Sequence, residues 1–361
     1  MKNTAFRIAL MPGDGIGVEV IDACVAVLDT LQKKSSGWAL SMDRLDAGAQ
    51  LYKATGTAMS EETFQRAANA DAILLGAMGW PEIRYPDGTE IAPQLDLRFR
   101  LGLYAGVRPI RALPGMPLAL ADPRAKDIDF VILRESTEGM FASRGRGEVI
   151  DDREARDTQV ITRDVSERLF DFAFRLAESR RGRGGKAIVT CVDKANVFRS
   201  FAFFRKIFDE RARAFPSIAA RHHYVDACAL DLVRKPWEFD VMVTENLFGD
   251  ILSDLAAGLI GGMGFAPSAD VGDKNAVFQP SHGTAPDIAG KGIANPTATL
   301  LSAVLMLRWL GERHAVPACG EAADRLEQAV DAALGSGSVR PYDAGGRDGT
   351  GALARAVIER L

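Results

Sequence analysis

Short apolar runs at 6–11, 72–75, 130–133, 187–191 and 241–244 alternate along the chain with stretches of helical periodicity such as 165–178 and 197–213. Runs of that length suit buried strands, and stripes at three- and four-residue spacing suit amphipathic helices, so the alternation predicts an α/β fold with helices covering a sheet. The first unit is the most explicit. The run 6–11 leads into Pro12-Gly13-Asp14-Gly15-Ile16-Gly17, and Val18, Ile21, Val25 and Leu28 then recur at helical spacing, which gives strand, glycine turn and helix. Its glycines are spaced G-x-G-x-G, not the G-x-G-x-x-G that brings a pyrophosphate onto a helix N-terminus. Taken alone, such a turn is more often a plain connection in which glycine supplies positive φ.

With 361 residues the chain has room for two domains, and 47% hydrophobic with 25% charged residues is ordinary globular composition. The net charge of -4 and the lack of a Lys/Arg-rich tract give no reason to expect a nucleic acid or an anionic membrane as partner. Arg180, Arg181, Arg183 and Lys186 read as a short solvated basic turn. Cys24, Cys191, Cys228 and Cys319 form no C-x-x-C pair, so neither zinc nor a disulfide framework is expected. No apolar run approaches the roughly 18 residues of a membrane span, and Met1 to Thr4 leads into a strand, not a signal-peptide core. A cytoplasmic protein is the expectation. The polar stretch 143–165 carries no helical stripe and reads as a projecting arm.

Several motifs carry chemistry. Asp250 and Asp254 stand one helical turn apart beside an apolar stripe of Leu247, Ile251, Leu255 and Leu259. Like charges at that spacing repel by about 0.2–0.5 kcal/mol unless a cation lies between them. Oxygen ligands would favour Mg²⁺ or Mn²⁺, although a solvated acidic face has the same pattern. Arg98, Arg108 and Arg134 each lie near an element end, where a guanidinium can grip a carboxylate with two parallel bonds. Lys194 follows the run 187–191, at the strand end where open α/β sheets bind ligands. A lysine kept near other cations and out of water loses proton affinity and can serve as a base. The long polar loop containing Ser281-His282-Gly283-Thr284-Ala285-Pro286-Asp287 and Asn295 has the look of a binding loop.

In order and spacing, these motifs together resemble the β-decarboxylating dehydrogenases, the family of isopropylmalate, isocitrate, homoisocitrate, tartrate and D-malate dehydrogenases. The match runs from 12–17 through the three arginines, Asp193-Lys194-Ala195-Asn196, Tyr224-Val225-Asp226 and the Asp250/Asp254 helix to the loop 282–295. The resemblance implies a two-domain α/β fold with a mixed sheet, not a Rossmann fold. It implies a large, mainly NAD-binding domain of 1–103 with 261–361, and a small domain of 104–260 carrying the dimer interface and the arm. It further implies a homodimer with shared active sites, in which Lys194 and Asp226 reach the partner's site and Asp226, Asp250 and Asp254 hold the metal. Arg98, Arg108 and Arg134 would bind the carboxylates of a malate. Gln94, Leu95 and the partner's Val197 would meet the third substituent, nominally that of 3-isopropylmalate, with tartrate or D-malate as alternatives. Ile16, His282, Gly283, Thr284, Ala285, Asp287, Asn295 and Asp343 fall where the family holds NAD.

The chain departs from the family twice. Seven residues after Arg134 the family carries a tyrosine that assists protonation of the enol, and here the position is Phe141. This keeps a catalytically weakened binding homologue open as an alternative. By register, Gln94 and Leu95 stand where isopropylmalate enzymes carry two leucines, and Ala92 where isocitrate enzymes carry serine, so the pocket is mixed.

Overall fold

The computed structural model describes residues 4–361. Its strands are β1 (Thr4–Gly13), β2 (Trp38–Arg44), β3 (Ala72–Ala77), β4 (Ala105–Arg111), β5 (Asp129–Glu135), β6 (Glu148–Ile150), β7 (Glu154–Arg156), β8 (Ile188–Asp193), β9 (Ala219–Tyr224), β10 (Val241–Thr244), β11 (Pro267–Val271) and β12 (Ala276–Pro280). Ten of them form one sheet in the order β2-β1-β3-β12-β11-β4-β5-β10-β8-β9. The β2-β1-β3-β12 block and the β5-β10-β8-β9 block are each parallel, and β11 and β4 join them through antiparallel pairings. The sheet is therefore mixed, with the change of strand direction at its centre. All five apolar runs form strands; β3, β10 and residues 130–135 of β5 are buried throughout, as expected where helices cover both faces.

The first helix, Ile16–Lys33, begins where the glycine turn predicts, but its buried face is rotated from the expected stripe. Val20, Ile21, Cys24, Val27, Leu28 and Leu31 face the core, while Val18 is exposed. Gly17 sets the phase: a Cβ there would lie 2.3 Å from the Pro12 carbonyl oxygen and 2.5 Å from the Ala77 amide nitrogen, so the helix packs directly on β1 and β3 through it.

Two further expectations change. The basic turn is not simply solvated, because Arg180 Nε donates to the fully buried Asp240 at 2.7 Å and its Nη2 pairs with Asp129 at 3.1 Å. The expected arm, 143–165, contains a hairpin and the start of a helix. β6 and β7 form a hairpin whose turn places Asp151 and Asp152 at positive φ, and the helix Arg163–Arg181 begins inside the predicted arm, capped by Thr162. All four cysteines are buried and free, and burial pushes the Cys24 thiol up to about 12. Among the described residues, no helix is long and apolar enough to cross a membrane.

Candidate active site

The site is built where the sheet changes direction. Arg134 on β5, Gly106 on β4 and Asp270 on β11 are direct neighbours across three strands. A side chain at 106 would lie 2.6 Å from Ser136 Oγ and 3.1 Å from Asp270 Oδ1, so glycine leaves the space in which the charged groups meet. Arg108, two residues along β4, emerges on the same face. Its Nη2 donates to Asp270 Oδ1 at 3.0 Å and its Nη1 to the Ala269 carbonyl at 2.9 Å. From the helix Pro93–Arg100, Arg98 Nη2 donates to Asp270 Oδ2 at 3.1 Å.

All three arginines and Asp270 are buried, and a buried charge is tolerated only when paired. Burial pushes the Asp270 carboxyl up, but Arg108 and Arg98 overcome it and hold the group down at about 2. Burial and the like charge of Arg98 push the Arg134 guanidinium down to about 10. Arg98 and Arg108 thus share one buried carboxylate with Arg134 close by, and Arg98 Nε is buried without a hydrogen-bond partner. That surplus is complementary to an acid ligand. The sequence reading missed Asp270; the available signal was a carboxylate inside an otherwise apolar strand, which requires a cationic partner.

The helix Asn246–Leu259 crosses above this face. Glu245 caps it, accepting from Leu247 N at 3.1 Å and Phe248 N at 2.7 Å. Gly249 lets it lie against Arg134, since a Cβ there would come within 2.6 Å of that side chain. Arg134 Nε donates to Asn246 Oδ1 at 2.8 Å, and its Nη1 is ion-paired with Asp250. The apolar stripe expected on this helix is corrected: Leu252, Ala256 and Leu259 enter the core, whereas Ile251 is 60% exposed. Contact with Arg134 rotates the helix so that Gly249 and Ser253, not Ile251, face inward. Burial and the nearby Asp250 charge push the Asp254 carboxyl up.

Lys194 and Asp226 lie elsewhere on the chain and are ion-paired with each other. The turn carrying Lys194 is anchored by buried Asp193, which accepts from both Arg205 Nε and Nη2 at 2.7 Å and from Ala195 N at 2.9 Å. Among the described residues, no three metal-ligating side chains come together within the chain. Next to Lys194, Val197 and Phe198 are 59% and 53% exposed.

The expected nucleotide loop docks on the glycine turn: Ile16 N donates to the Thr284 carbonyl at 2.9 Å, and Ile16, Val20 and Ala294 pack with Ala285, Ile288 and Ala289. His282 Nδ1 lies 2.9 Å from the Gly283 carbonyl, while its Nε2 is buried without a partner. Asn295 Nδ2 donates to Asp343 at 3.0 Å, joining loop and C-terminal segment. Gly283 and Asp287 are exposed, and Asp287 borders a cavity of about 800 Å³ with Tyr52, Trp80 and Ile83. Gln94 and Leu95 are half-buried; Gln94 Oε1 is buried and unpartnered. The Phe141 ring faces the arginine cluster, with its centroid 4.9 Å from the Arg134 guanidinium carbon.

Residues 7–359 match the isocitrate/isopropylmalate dehydrogenase family model. The chain belongs to the isocitrate/isopropylmalate dehydrogenase family. It is 44% identical over 356 residues to the 3-isopropylmalate/3-methylmalate dehydrogenase of Methanocaldococcus jannaschii, covering 98% of both chains. It is 42% identical to the isocitrate/homoisocitrate dehydrogenase of Thermus thermophilus, covering 99% of both. Among solved structures, the isocitrate dehydrogenase of Methylococcus capsulatus superposes with TM-score 0.85 at 36% identity, over 98% of this chain and 99% of that one. A β-decarboxylating dehydrogenase of Thermococcus kodakarensis in its apo form gives 0.78 at 37% identity, over 98% and 96%. The chain therefore has the isocitrate/isopropylmalate dehydrogenase fold and is a dehydrogenase, an oxidoreductase of this family.

Proposed function

We propose that the protein oxidises, and oxidatively decarboxylates, a 3-substituted malate in an NAD- and divalent-metal-dependent reaction, nominally 3-isopropylmalate. The observation that carries this reading is the meeting of Arg98, Arg108 and Arg134 beneath the Asp250/Asp254 helix. The residues present fit a divalent cation and a nucleotide. Asp250 and Asp254 offer hard oxygen donors one helical turn apart, like charges that a cation between them would hold together. His282 Nε2, buried and unpartnered, is a polar atom in want of a ligand beside the loop that docks on Ile16.

The active unit in this reading is a homodimer. Val197, Phe198, Leu230, Val233 and Ile251 are exposed apolar residues on the elements that carry Lys194, Asp226 and Asp250, and the carboxylates of Asp226 and the Asp250/Asp254 pair do not converge within one chain. A second copy supplies Lys194 and Asp226. The three arginines bind and orient the two substrate carboxylates, and Lys194 Nζ from the second copy accepts the proton of the 2-hydroxyl. A divalent cation supplies Lewis acidity to the substrate oxygens when bound. NAD supplies the hydride acceptor. Phe141 closes the site beside Arg134 but offers no proton, so enol protonation falls to water or to another side chain. Asp287, exposed at the loop, would accept from ribose hydroxyls and repel a 2′-phosphate, which favours NAD over NADP. The protein is assigned to the cytoplasm, consistent with its four free cysteines.

Gln94 favours a second reading of the substrate. Its buried Oε1 has no partner, and a third substituent bearing a hydroxyl or another donor would satisfy it where an isopropyl group would not. The test is a panel of 3-isopropylmalate, 3-methylmalate, isocitrate, homoisocitrate, D-malate and tartrate with NAD and Mn²⁺, recording NADH and CO₂ together. Equal release of both from a 3-alkylmalate supports the nominal reading, and preference for a substrate with a polar substituent supports the second. NADH with none of the panel would refute both.

A further inference from the structure

The three strands that build the site have a second face, and it is hollow. On β4, β5 and β11, Arg108, Arg134 and Asp270 point to the active site, while Val107, Val131 and Ala269 point the other way, as strand alternation requires. Behind them is a cavity of about 230 Å³. It is closed on one side by Phe172 and Leu176 of the helix Arg163–Arg181, and on the other by Leu305 and Trp309 of the helix Thr297–His314. Interiors are normally packed with few voids larger than a water molecule. This one would hold about eight waters at ~30 Å³ each, and its floor and two helix walls are chiefly apolar.

Its polar groups are charged, and most of them are paired with carboxylates in or beside the lining. Four arginines and three carboxylates are among the lining side chains. Arg111 is held by Asp331 at 2.8 Å and Glu327 at 3.5 Å, and Arg308 by Asp324 at 2.8 Å and Glu327 at 2.5 Å, which fixes both guanidinium groups in place. Arg308 Nε nevertheless remains buried with no acceptor, and Arg183 is exposed at the rim. An unsatisfied buried donor carries a desolvation penalty, so an acceptor delivered there is rewarded. The volume lies below the roughly 300–1,000 Å³ of sites for drug-sized ligands, so the fitting ligand is small.

We propose that this cavity is a binding site, separate from the active site, for a small carboxylic acid with an aromatic or branched aliphatic body. The apolar body fills the space between the two helices, and the carboxylate accepts from the unpartnered Arg308 Nε and from Arg183 at the rim. The site shares its strands with the catalytic face but none of its side chains.

The probe is 4-phenylbutyrate, titrated calorimetrically into the full chain saturated with NAD, with 4-phenyl-1-butanol as its uncharged counterpart. One molecule of acid should bind per chain in the presence of NAD, and the alcohol should bind about tenfold or more weakly, as expected for loss of a charge-assisted bond. Leu305→Trp, which fills the cavity, should abolish binding of the acid while leaving NADH production unchanged. If that variant does not fold, Leu176→Phe makes the same test from the opposite wall. Absence of binding up to the solubility limit would overturn the proposal. So would displacement of the acid by NAD, equal affinity for acid and alcohol, or undiminished binding to a folded filled variant.

Discussion

Asp270 accepts from Arg98 and Arg108, and without it two guanidinium groups would be buried with no counter-charge. Its carboxyl, held at about 2 against an ordinary 3.8, contributes stability that is present above about pH 4 and lost as the pH falls toward 2. Asp270→Asn should therefore lower stability by about 3–5 kcal/mol at pH 7, the usual cost of removing one partner of a buried pair; unchanged urea unfolding would show that the cluster is held otherwise. Glu135, the next residue after Arg134, has the opposite sign. Burial raises its carboxyl to about 7 from an ordinary 4.5, although it accepts from Thr137 N at 2.6 Å and Glu138 N at 2.7 Å. The folded state thus holds a proton that the unfolded state releases, and its stabilising effect is complete below about pH 4.5 and lost as the pH rises to 7, by about 3 kcal/mol. Glu135→Gln should remove that slope, as measured by unfolding at pH 5 and pH 8; an unaltered slope would assign it to other groups. At Phe141 the expected change is a gain. A positioned acid contributes about 10² to 10⁴-fold to a proton-transfer step, so Phe141→Tyr should raise turnover where enol protonation limits it, or speed ketone release in a single turnover, with NAD affinity unaltered. If neither rate rises while the parent already releases ketone efficiently, another group supplies the proton.

The strand, glycine turn and helix at the N-terminus show how far local signals reach. Gly13, Gly15 and Gly17 were legible as a turn, but what fills it was not: Asp14 turns inward and accepts from Ala49 N at 2.7 Å, Gln50 N at 2.9 Å and Gly79 N at 2.9 Å. Those partners lie 35 to 65 residues away, beyond any periodicity. Gly17→Ala should destabilise the fold by roughly 1–3 kcal/mol through overpacking against Pro12 and Ala77; a thermal midpoint equal to that of the parent would mean the backbone yields without cost. The same division runs through the site. Arg98, Arg108 and Arg134 could be singled out because each lies near the end of an apolar or helical segment, whereas Asp270 and Gly106 acquire meaning only when β11, β4 and β5 become neighbours. The rotated faces of the helices Ile16–Lys33 and Asn246–Leu259 have one cause. In each, a glycine makes the closest contact, and an apolar count that looks for large side chains misplaces the inward direction.

At the scale of the molecule, a ten-stranded sheet reverses strand direction at its centre, brings cations from β4 and the helix Pro93–Arg100 onto one buried carboxylate, and sets Arg134 of β5 beside them. Asp226 is exposed and Lys194 half-buried, both beside exposed apolar residues and apart from the Asp250/Asp254 pair. The central claim, that two copies of the chain share each active site, makes a prediction that no single-chain site can imitate. Lys194→Met and Asp250→Asn should each abolish turnover as homodimers. When the two variants are unfolded, mixed in equal amounts and refolded, random pairing places both intact residues in one of the two sites of every mixed dimer, and mixed dimers are about half of the population. NADH production should then return to about a quarter of the parent value, by this pairing arithmetic. A mixture that exchanges subunits, as verified by tagged copies, yet remains as inactive as either variant alone would contradict the shared site.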